Sequence, residues 1–243
     1  MRVIQKIKQQ GALNLLAMTL ARIIPKSFLR MAVMDVFELD VESATGTPMS
    51  EELLIESVEN DPAKREFLQD ATWNEAGASE LEKHYGYLAR LKEPVQWEPT
   101  AELQGMQFAG GLWCATGEFP EKALGFRLMF EPQQAWIYAA YVNKAIRGQN
   151  VYQRTLACAC DDLDRRGWKE LLVAVAPWNK ASMYVHQKHS KRKLGRIIAI
   201  RFLKFAAVFR LGKIQKSNTF TTDYVERPIK IAVQTLNLQT SNA

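Results

Sequence analysis

The sequence contains little cysteine, which excludes two ways of holding a small domain together. Only three cysteines occur among 243 residues, and Cys158 and Cys160 lie two apart on a predicted helix, so their side chains point in different directions. An odd number of cysteines does not make a disulfide framework, and a structural zinc site needs about four ligands. We therefore expect no disulfide, no metal and a reducing, cytoplasmic compartment.

Long apolar stretches are missing as well. No uninterrupted apolar run approaches the roughly 18–20 residues of a membrane-spanning helix, and the apolar residues 12–18 lack the context of a cleavable signal. Hydrophobic residues still make up 47% of the chain and charged residues 24%, which is typical of a globular protein with a buried core. These features disfavour a membrane-spanning chain and a disordered one.

The net charge of +6 conceals a separation of charge along the chain. Residues 35–143 carry 20 acidic and seven basic side chains, residues 144–243 carry six acidic and 19 basic ones, and residues 171–222 contain no acid. A polyanionic ligand is therefore expected at the C-terminal half. Coenzyme A, nucleic acid and an anionic membrane have the required sign. No aromatic-interleaved or recognition-helix motif organises the bases for nucleic acid, so we expect no such partner.

The first 34 residues form a segment with six basic and no acidic side chains. Apolar residues recur there at helical spacing and predict one or two helices, broken near Pro25. Two interpretations stay open: a helix that packs on the body of the protein, or a helix in peripheral contact with an anionic membrane at its inner face. The predicted organisation is a basic amphipathic helical extension at 1–34, a main domain at 35–217 and a C-terminal strand and tail at 218–243.

Between these ends the chain alternates between short predicted helices and strands. Turn-prone breaks in residues 35–100 separate predicted helices at 50–60, 62–72 and 79–91. Strands are predicted at 106–114 and 123–131. After a basic loop at 189–193, further strands are predicted at 196–205 and 206–213, and an apolar alternation follows at 229–233.

The most informative part of the chain is the stretch from Ala139 to His186, together with the strand that leads into it. An apolar strand at 135–142 leads to an Arg147-Gly148 turn, an amphipathic helix from Tyr152 to about residue 166, a second apolar strand at 171–175 and a helix led by Asn179. Such a unit can hold a pyrophosphate at the first helix, because backbone N–H groups converge at a helix N-terminus and the helix dipole favours negative charge there.

This order resembles the GNAT superfamily of acyl-CoA-dependent N-acyltransferases. The family pattern is a strand, a V-x-P-x-x-R-G-x-G-x-G/A turn, a helix, a strand and then N-x-x-A/S-x-x-x-Y. The residues that fall at the family spacing are Val142, Arg147, Gly148, Gln149, Asn179 and Ser182. The match covers about a third of the chain, and it identifies the protein as a divergent member if the departures below are tolerated.

Four positions depart from the family pattern. Lys144 stands where proline is frequent, Asn150 and Tyr152 replace the two later glycines, and His186 replaces the tyrosine. Asn150 tolerates left-handed backbone geometry, so it is a mild change. The ring of Tyr152 must point away from the phosphates or lie beside them. These substitutions put cofactor affinity in question.

The resemblance implies an α/β fold with a GNAT-like mixed, mostly antiparallel central sheet flanked by helices. A V-shaped splay would open between two parallel strands, those around Val142 and Val173. It also implies acetyl-CoA or another acyl-CoA as co-substrate. Backbone groups of Tyr141 and Val142 would pair with the pantetheine, and the turn and following helix would hold the pyrophosphate. The implied cofactor-binding residues are Tyr141, Val142, Arg147, Gly148, Gln149, Asn150, Val151, Tyr152, Arg154, Asn179 and Ser182.

Acyl transfer to an amine also requires proton transfers. A primary amine with a pKa near 10.4 is only about 0.1% unprotonated at neutral pH, so a general base would help. The candidate bases, which the sequence does not rank, are Glu118, Glu121 and Glu131. The candidates for protonating the leaving thiolate are His186, at the position of the family's tyrosine, Tyr184 and His189.

Three functions stay open at this point. The first is transfer of an acetyl or other acyl group from acyl-CoA directly to an amine acceptor. The second is an acyltransferase at the membrane surface that uses a long-chain acyl-CoA or an acyl carrier protein, which the basic N-terminal segment and residues 191–216 favour. The third is a catalytically inactive GNAT-like binding protein, which Asn150 and Tyr152 favour. A small metabolite, a sugar amine, a peptide N-terminus and a lysine all remain open as acceptors.

Overall fold

A computed structural model describes residues 28–48, 51–74, 76–77, 83–92 and 107–233. The chain divides into two compact units. We call residues 39–116 and 133–171 the turn unit, because it contains the Arg147-Gly148 turn. We call residues 1–38, 117–132 and 172–243 the hairpin unit, because its longest described strands form a hairpin.

The elements, in chain order, are β1 (Leu29–Leu39), α1 (Val41–Thr45), β2 (Leu53–Ser57), α2 (Pro62–Ala71), β3 (His84–Leu91), β4 (Phe108–Thr116), β5 (Glu118–Glu121), β6 (Phe126–Met129), β7 (Gln134–Val142), a 3₁₀ turn (Lys144–Ile146), α3 (Val151–Arg165), β8 (Glu170–Val175), α4 (Lys180–Lys188), β9 (Ser190–Phe202), β10 (Phe205–Gly212), β11 (Ile214–Lys216), β12 (Phe220–Thr221) and β13 (Ile229–Val233).

In the turn unit, strands β2, β3, β4 and β7 pair in that order, and each pair is antiparallel. Strand β4 is buried on both faces, from Phe108 to Ala115. One apolar cluster includes Val151 at the start of α3 and Ile146 of the 3₁₀ turn. The other includes Leu68 of α2. Because each cluster draws on the same strands and on a different helix, the sheet packs between α2 and α3.

In the hairpin unit, strands β12, β10, β9, β1 and β8 are neighbours in that order. The registers of β12 with β10, β10 with β9 and β1 with β8 are antiparallel. A smaller sheet has the order β11, β13, β6 and β5, in which β13 and β6 are parallel. The expected mixed, mostly antiparallel α/β class is confirmed. The expected splay involves β7 and β8, which belong to different units, and it stays a prediction.

Several element predictions are confirmed and three are wrong. The helix at 62–72 and the strands at 106–114, 135–142 and 171–175 are present with small shifts of their ends. The predicted helices at 50–60 and 79–91 are wrong over their described residues, which contain strands β2 and β3. The predicted basic loop at 189–193 is also wrong, since β9 begins at Ser190.

The predicted N-terminal helical extension requires a correction at its end. Strand β1 begins at Leu29, so residues 29–34 are extended rather than helical, and residues 1–27 lie outside the described residues. The predicted division of the chain after residues 34 and 217 stays a prediction. No helix among the described residues is both long enough and apolar enough to cross a bilayer.

Candidate functional site

Strand β7 carries a bulge just before its last residues. Tyr138 pairs with Trp113 while Tyr141 pairs with Gly111, so two residues of β7, Ala139 and Ala140, oppose a single residue of β4. Ala139 has a φ of 45°, which is a strained conformation for a residue with a side chain. A bulge re-aims the strand beyond it. It therefore sets the direction of Tyr141 and Val142, the residues expected to meet the pantetheine.

The strand then passes into the turn through Asn143. Its backbone N–H donates to the carbonyl of Ala109 at 2.9 Å, and its Nδ2 donates to the carbonyl of Phe108 at 3.2 Å. Its Oδ1 accepts from the N–H of Ala145 at 3.1 Å, which caps the 3₁₀ turn. Asn143 is 7% exposed. This buried amide therefore fixes the turn on β4, and the sequence analysis did not single it out.

The N-terminus of α3 follows two residues with left-handed backbone and has no side-chain cap. Gly148 has a φ of 89° and Asn150 a φ of 59°, and Asn150 makes no side-chain cap on the helix. Its Oδ1 instead accepts from Nε2 of Gln153 at 3.0 Å. The first backbone hydrogen bond of the helix is from the N–H of Arg154 to the carbonyl of Asn150, at 3.0 Å. A Cβ added at Gly148 would meet nothing within 4 Å, so the space beside the turn is open.

Two arginines border this helix end. The Nε of Arg147 donates to the carbonyl of Val142 at 3.3 Å, and its guanidinium lies 5.8 Å from the ring centre of Tyr141. The Nε of Arg154 donates to the carbonyl of Pro48 at 3.2 Å, and its Nη1 donates to the carbonyl of Gln149 at 3.1 Å. Within the described part of the chain neither guanidinium pairs with a carboxylate. Both retain N–H groups and a full charge for an anionic ligand.

Tyr152 lies at the helix end with its ring directed into the protein. Burial raises the pKa of its phenol, with further contributions from the thiols of Cys160 and Cys114. Tyr152 is part-buried and lies one and two helical turns before Leu156 and Cys160, which are buried, so its ring lies on the inner side of α3. The tyrosine that replaces glycine at this position therefore does not cover the backbone N–H groups on the outer side of the helix end.

Asn179 begins the second helix of the pattern, α4, in the hairpin unit. Its Oδ1 accepts from the N–H of Ser182 at 3.2 Å, so it is an N-cap. The Nδ1 of His186 lies 2.7 Å from the carbonyl of Ser182, and a carbonyl only accepts, so this nitrogen carries a proton. His186 is 1% exposed. Burial and the nearby His189 lower its pKa to about 4, although the bond to Ser182 opposes the shift.

The remaining proton-transfer candidates also lie in the hairpin unit. Tyr184 is 67% exposed and His189 is buried. Glu131 is exposed after the end of β6, and Glu118 pairs with Arg127 at 3.0 Å. The structure thus brings the turn residues 141–154 together in one unit and Asn179, Ser182, Tyr184, His186 and Glu131 together in the other.

A buried polar network in the turn unit escaped the sequence analysis. The phenol oxygen of Tyr138 lies 2.6 Å from Nδ1 of His84 and accepts from Nδ2 of Asn74 at 3.1 Å. Beside it, Trp73 is 71% exposed and packs edge-on against Tyr141 at 4.8 Å. The partners are 64 and 54 residues apart, so no local pattern could have shown them. The network holds the end of α2 on β7.

Part of the positive charge seen in the sequence is neutralised inside the hairpin unit. Two acids of β1, Asp35 and Glu38, are 2% and 3% exposed. Four bases of β9 pair with them: Arg196 and Lys193 with Asp35, and Arg192 and Lys191 with Glu38. No group of three or more His, Cys, Asp or Glu side chains in the described ranges has the arrangement of a metal site.

Comparisons with known proteins return similar structures only. No protein-family model and no curated protein matches the sequence. A GCN5-related N-acetyltransferase-like protein from Streptococcus suis is 12% identical over 79% of this chain and 68% of its own, with a TM-score of 0.47. The aminoglycoside acetyltransferase meta-AAC0020 from an uncultured soil sample is 17% identical over 58% of this chain and 88% of its own, with a TM-score of 0.38.

A third similar structure is AAC(6')-Iy in complex with a bisubstrate analogue, CoA-S-monomethyl-acetylneamine. It is 13% identical over 58% of this chain and 93% of its own, with a TM-score of 0.39. The structural neighbours named here are thus acetyltransferases or acetyltransferase-like proteins of low identity. The function of this chain has to be argued from its own turn and helix end.

Proposed function

We propose that the protein is an acyl-CoA-dependent N-acyltransferase of the GNAT type. The observation that supports this most directly is the N-terminus of α3. It combines a left-handed Gly148 and Asn150, a helix end without a side-chain cap, and the guanidiniums of Arg147 and Arg154, which pair with no carboxylate among the described residues. These features stand at the spacing of the GNAT turn and suit a pyrophosphate.

In this proposal acyl-CoA is held by backbone and charge together. The N–H groups at the start of α3 would receive the pyrophosphate, and the two arginines would add charge-assisted hydrogen bonds. The end of β7, re-aimed by the bulge, would offer backbone groups of Tyr141 and Val142 to the pantetheine and the thioester carbonyl. Polarisation of that carbonyl by a fixed N–H stabilises the developing oxyanion without a special side chain.

The acyl group passes directly to the amine. The amine nitrogen forms a bond to the acyl carbon, the C–S bond breaks, the amine loses a proton to a base and the thiolate of coenzyme A takes up a proton. The three cysteines do not suit a covalent intermediate, because burial raises the pKa of Cys158, of Cys114 and of Cys160, the last to about 12.

The proton transfers are assigned within the hairpin unit. We assign the base to Glu131, which is exposed, and the acid to Tyr184 rather than His186. A histidine with a pKa of about 4 is neutral at pH 7 and has no excess proton to give. Profiles of kcat/KM against pH for Glu131→Gln and Tyr184→Phe test these roles. If the pH profile of a variant has the same inflections and the same maximal kcat/KM as that of the parent, the substituted residue takes no part in proton transfer.

Calorimetric titration with acetyl-CoA tests the binding site. We expect saturable binding by the full chain, and Arg147→Ala should weaken it by about 10- to 100-fold, since a charge-assisted hydrogen bond is worth about 1.5–3 kcal/mol. The matched control is Arg165→Ala at the other end of α3, where the side chain pairs with Asp161. Absence of binding at millimolar acetyl-CoA, or equal affinity in the Arg147 variant, would contradict the proposal.

The proposal leaves the acceptor amine and the acyl length open. A cytoplasmic location is also part of the proposal, supported by the three free thiols. The alternative of an inactive binding protein predicts that acetyl-CoA binds but that no amine is ever acylated. Measured turnover of acetyl-CoA with a panel of amines, followed as released thiol, separates the two.

A further inference from the structure

We propose that the hairpin unit docks on an anionic lipid surface through the open face of β10, β9 and β12. The face is defined by register. Directly opposed residues of antiparallel strands share a face, and Phe205 opposes Phe202, Phe209 opposes Ile198, and Ala207 opposes Phe220. Period-two alternation along each strand places all of these side chains together.

This face is apolar and exposed. Phe202, Phe209, Leu211 and Phe220 are 51%, 47%, 59% and 55% exposed. The ring of Phe205 stacks on that of Phe220 with centroids 6.2 Å apart. On the opposite face of β10, by contrast, Ala206 and Val208 are each 1% exposed. An antiparallel sheet that is solvated on one side normally alternates apolar with polar residues. Here both sides are apolar, which is the mark of an interaction surface.

Bases outnumber acids around the face, where Asp223 and Glu226 follow β12. Lys204 lies at the β9–β10 turn, Lys213 follows the far end of β10, and Arg210 lies at that end on the opposite face of β10. All three are exposed, and within the described residues none of them pairs with a carboxylate. The Nζ of Lys216 lies 5.9 Å from the ring centre of Phe209. No acid occurs anywhere from residue 171 to residue 222. The carboxylates of β1 neutralise other bases, those of residues 191–196.

Aromatic and aliphatic side chains with a rim of lysine and arginine fit one partner well. In the headgroup region of an anionic bilayer the rings enter the acyl boundary while the cations stay with the phosphates. A protein partner would need acidic side chains that pair with the basic rim and an apolar surface that fits the face. Nothing in the described part of the structure indicates such a partner. We therefore take an anionic lipid surface as the occupant of the face.

The entry of the chain into the structure supports the same occupant. Phe28, 51% exposed, accepts at its carbonyl from the N–H of Leu203 at 2.9 Å, so Phe28, which residues 1–27 precede in the sequence, lies beside the β9–β10 turn. Those residues contain five bases and no acid. An anionic membrane would neutralise the segment and the face together. This inference does not depend on acyl transfer.

Vesicle flotation with the full chain tests the proposal. We expect it to float with vesicles of phosphatidylcholine and phosphatidylserine but not with phosphatidylcholine alone, and to detach as salt rises. Phe209→Ser with Leu211→Ser should reduce binding at least tenfold at an unchanged Tm. The matched control is Leu54→Ser, an exposed leucine of the turn unit, 42% exposed. In Phe209→Trp, tryptophan emission should shift to the blue when anionic vesicles are added.

Three outcomes would overturn the proposal. The first is failure to float at low salt. The second is a double variant of Phe209 and Leu211 that floats as well as the parent while a second double variant, Leu16→Ser with Leu20→Ser, no longer floats. This result would assign membrane binding to the N-terminal segment alone. The third is a lowered Tm of the Phe209 and Leu211 variant without any flotation, which would show that this chain's own residues 1–27 cover the face.

Discussion

At the scale of single residues, His186 shows how the position of a side chain decides its chemistry. Its place in the GNAT-like signature suggested a proton donor, but the structure buries the ring and lowers its pKa to about 4. A histidine in an unfolded chain has a pKa near 6.5, so as the pH falls it binds a proton at a higher pH than the folded histidine does. The free energy of unfolding should therefore fall as the pH is lowered from about 6.5 to about 4, by up to about 3 kcal/mol.

Urea unfolding at several pH values measures this dependence. The matched variant is His186→Asn, whose amide can donate to the carbonyl of Ser182 but does not titrate. It should be less stable than the parent at pH 7, because it leaves space in the core, and its stability should change little between pH 6.5 and 4. If the stability of both proteins changes equally with pH, other groups cause the pH dependence. The imidazolium of His186 would then be a candidate acid again.

At the scale of elements, the approach of β4 to β7 supports the turn. A Cβ on Gly110 would lie 2.7 Å from the carbonyl oxygen of Tyr141 and 3.3 Å from the Cα of Val142. Both are backbone atoms beside the bulge, so they cannot swing aside. We expect Gly110→Ala to cost about 1–3 kcal/mol of stability. It should also weaken binding of acetyl-CoA, because it displaces the residues that we propose contact the pantetheine.

The control for this variant is Gly46→Ala in the same unit, where the nearest atom to a new Cβ is 3.5 Å away and φ is −66°. Thermal unfolding and calorimetry on both variants give the comparison. Equal Tm values for the two alanine variants would mean that β4 and β7 are not tightly apposed at the bulge.

The elements also show what a sequence can predict. The run from β7 to α4 followed from local signals: apolar alternation, a glycine turn, helical periodicity and an asparagine cap. Strand β3 was mistaken for a helix because its residues 84–91 mix small, aromatic and charged side chains without clear alternation. It is a strand because β2 and β4 lie on either side of it. The bulge at Ala139 and the bonds of Tyr138 to His84 and Asn74 depend on tertiary pairing, so residue types alone could not show them.

At the scale of the whole molecule, the separation of charge is resolved into paired and unpaired bases. The excess of bases in residues 144–243 suggested a polyanionic ligand, and the structure distinguishes three sets among these bases. One set flanks the start of α3, one flanks the open face of the β9–β10 hairpin, and one is paired with Asp35 and Glu38. Only the first two sets can serve ligands, because the third is used in holding β9 against β1.

The paired set yields the last prediction. The side chain of Asp35 is 3% exposed and accepts from Arg196 at 2.6 and 3.0 Å and from Lys193 at 2.8 Å. Burial by itself raises the pKa of this carboxyl, but the bonds and charges of the two bases outweigh it and lower the pKa below its usual value. Asp35→Asn removes the negative charge with which Arg196 and Lys193 pair. It should cost about 2–3 kcal/mol, less than for a fully buried pair because the two bases retain solvent contact.

The comparison that decides this is with an exposed pair in the same unit. Glu118 and Arg127 lie 3.0 Å apart, with side chains 51% and 35% exposed, and Glu118→Gln should cost less than about 1 kcal/mol. Urea denaturation at neutral pH gives both values. If the two substitutions lower the free energy of unfolding equally, the bases of β9 interact with solvent rather than with the carboxylates of β1. They would then join the charge available to an anionic ligand, and the hairpin unit would have a larger basic surface than the one assigned above.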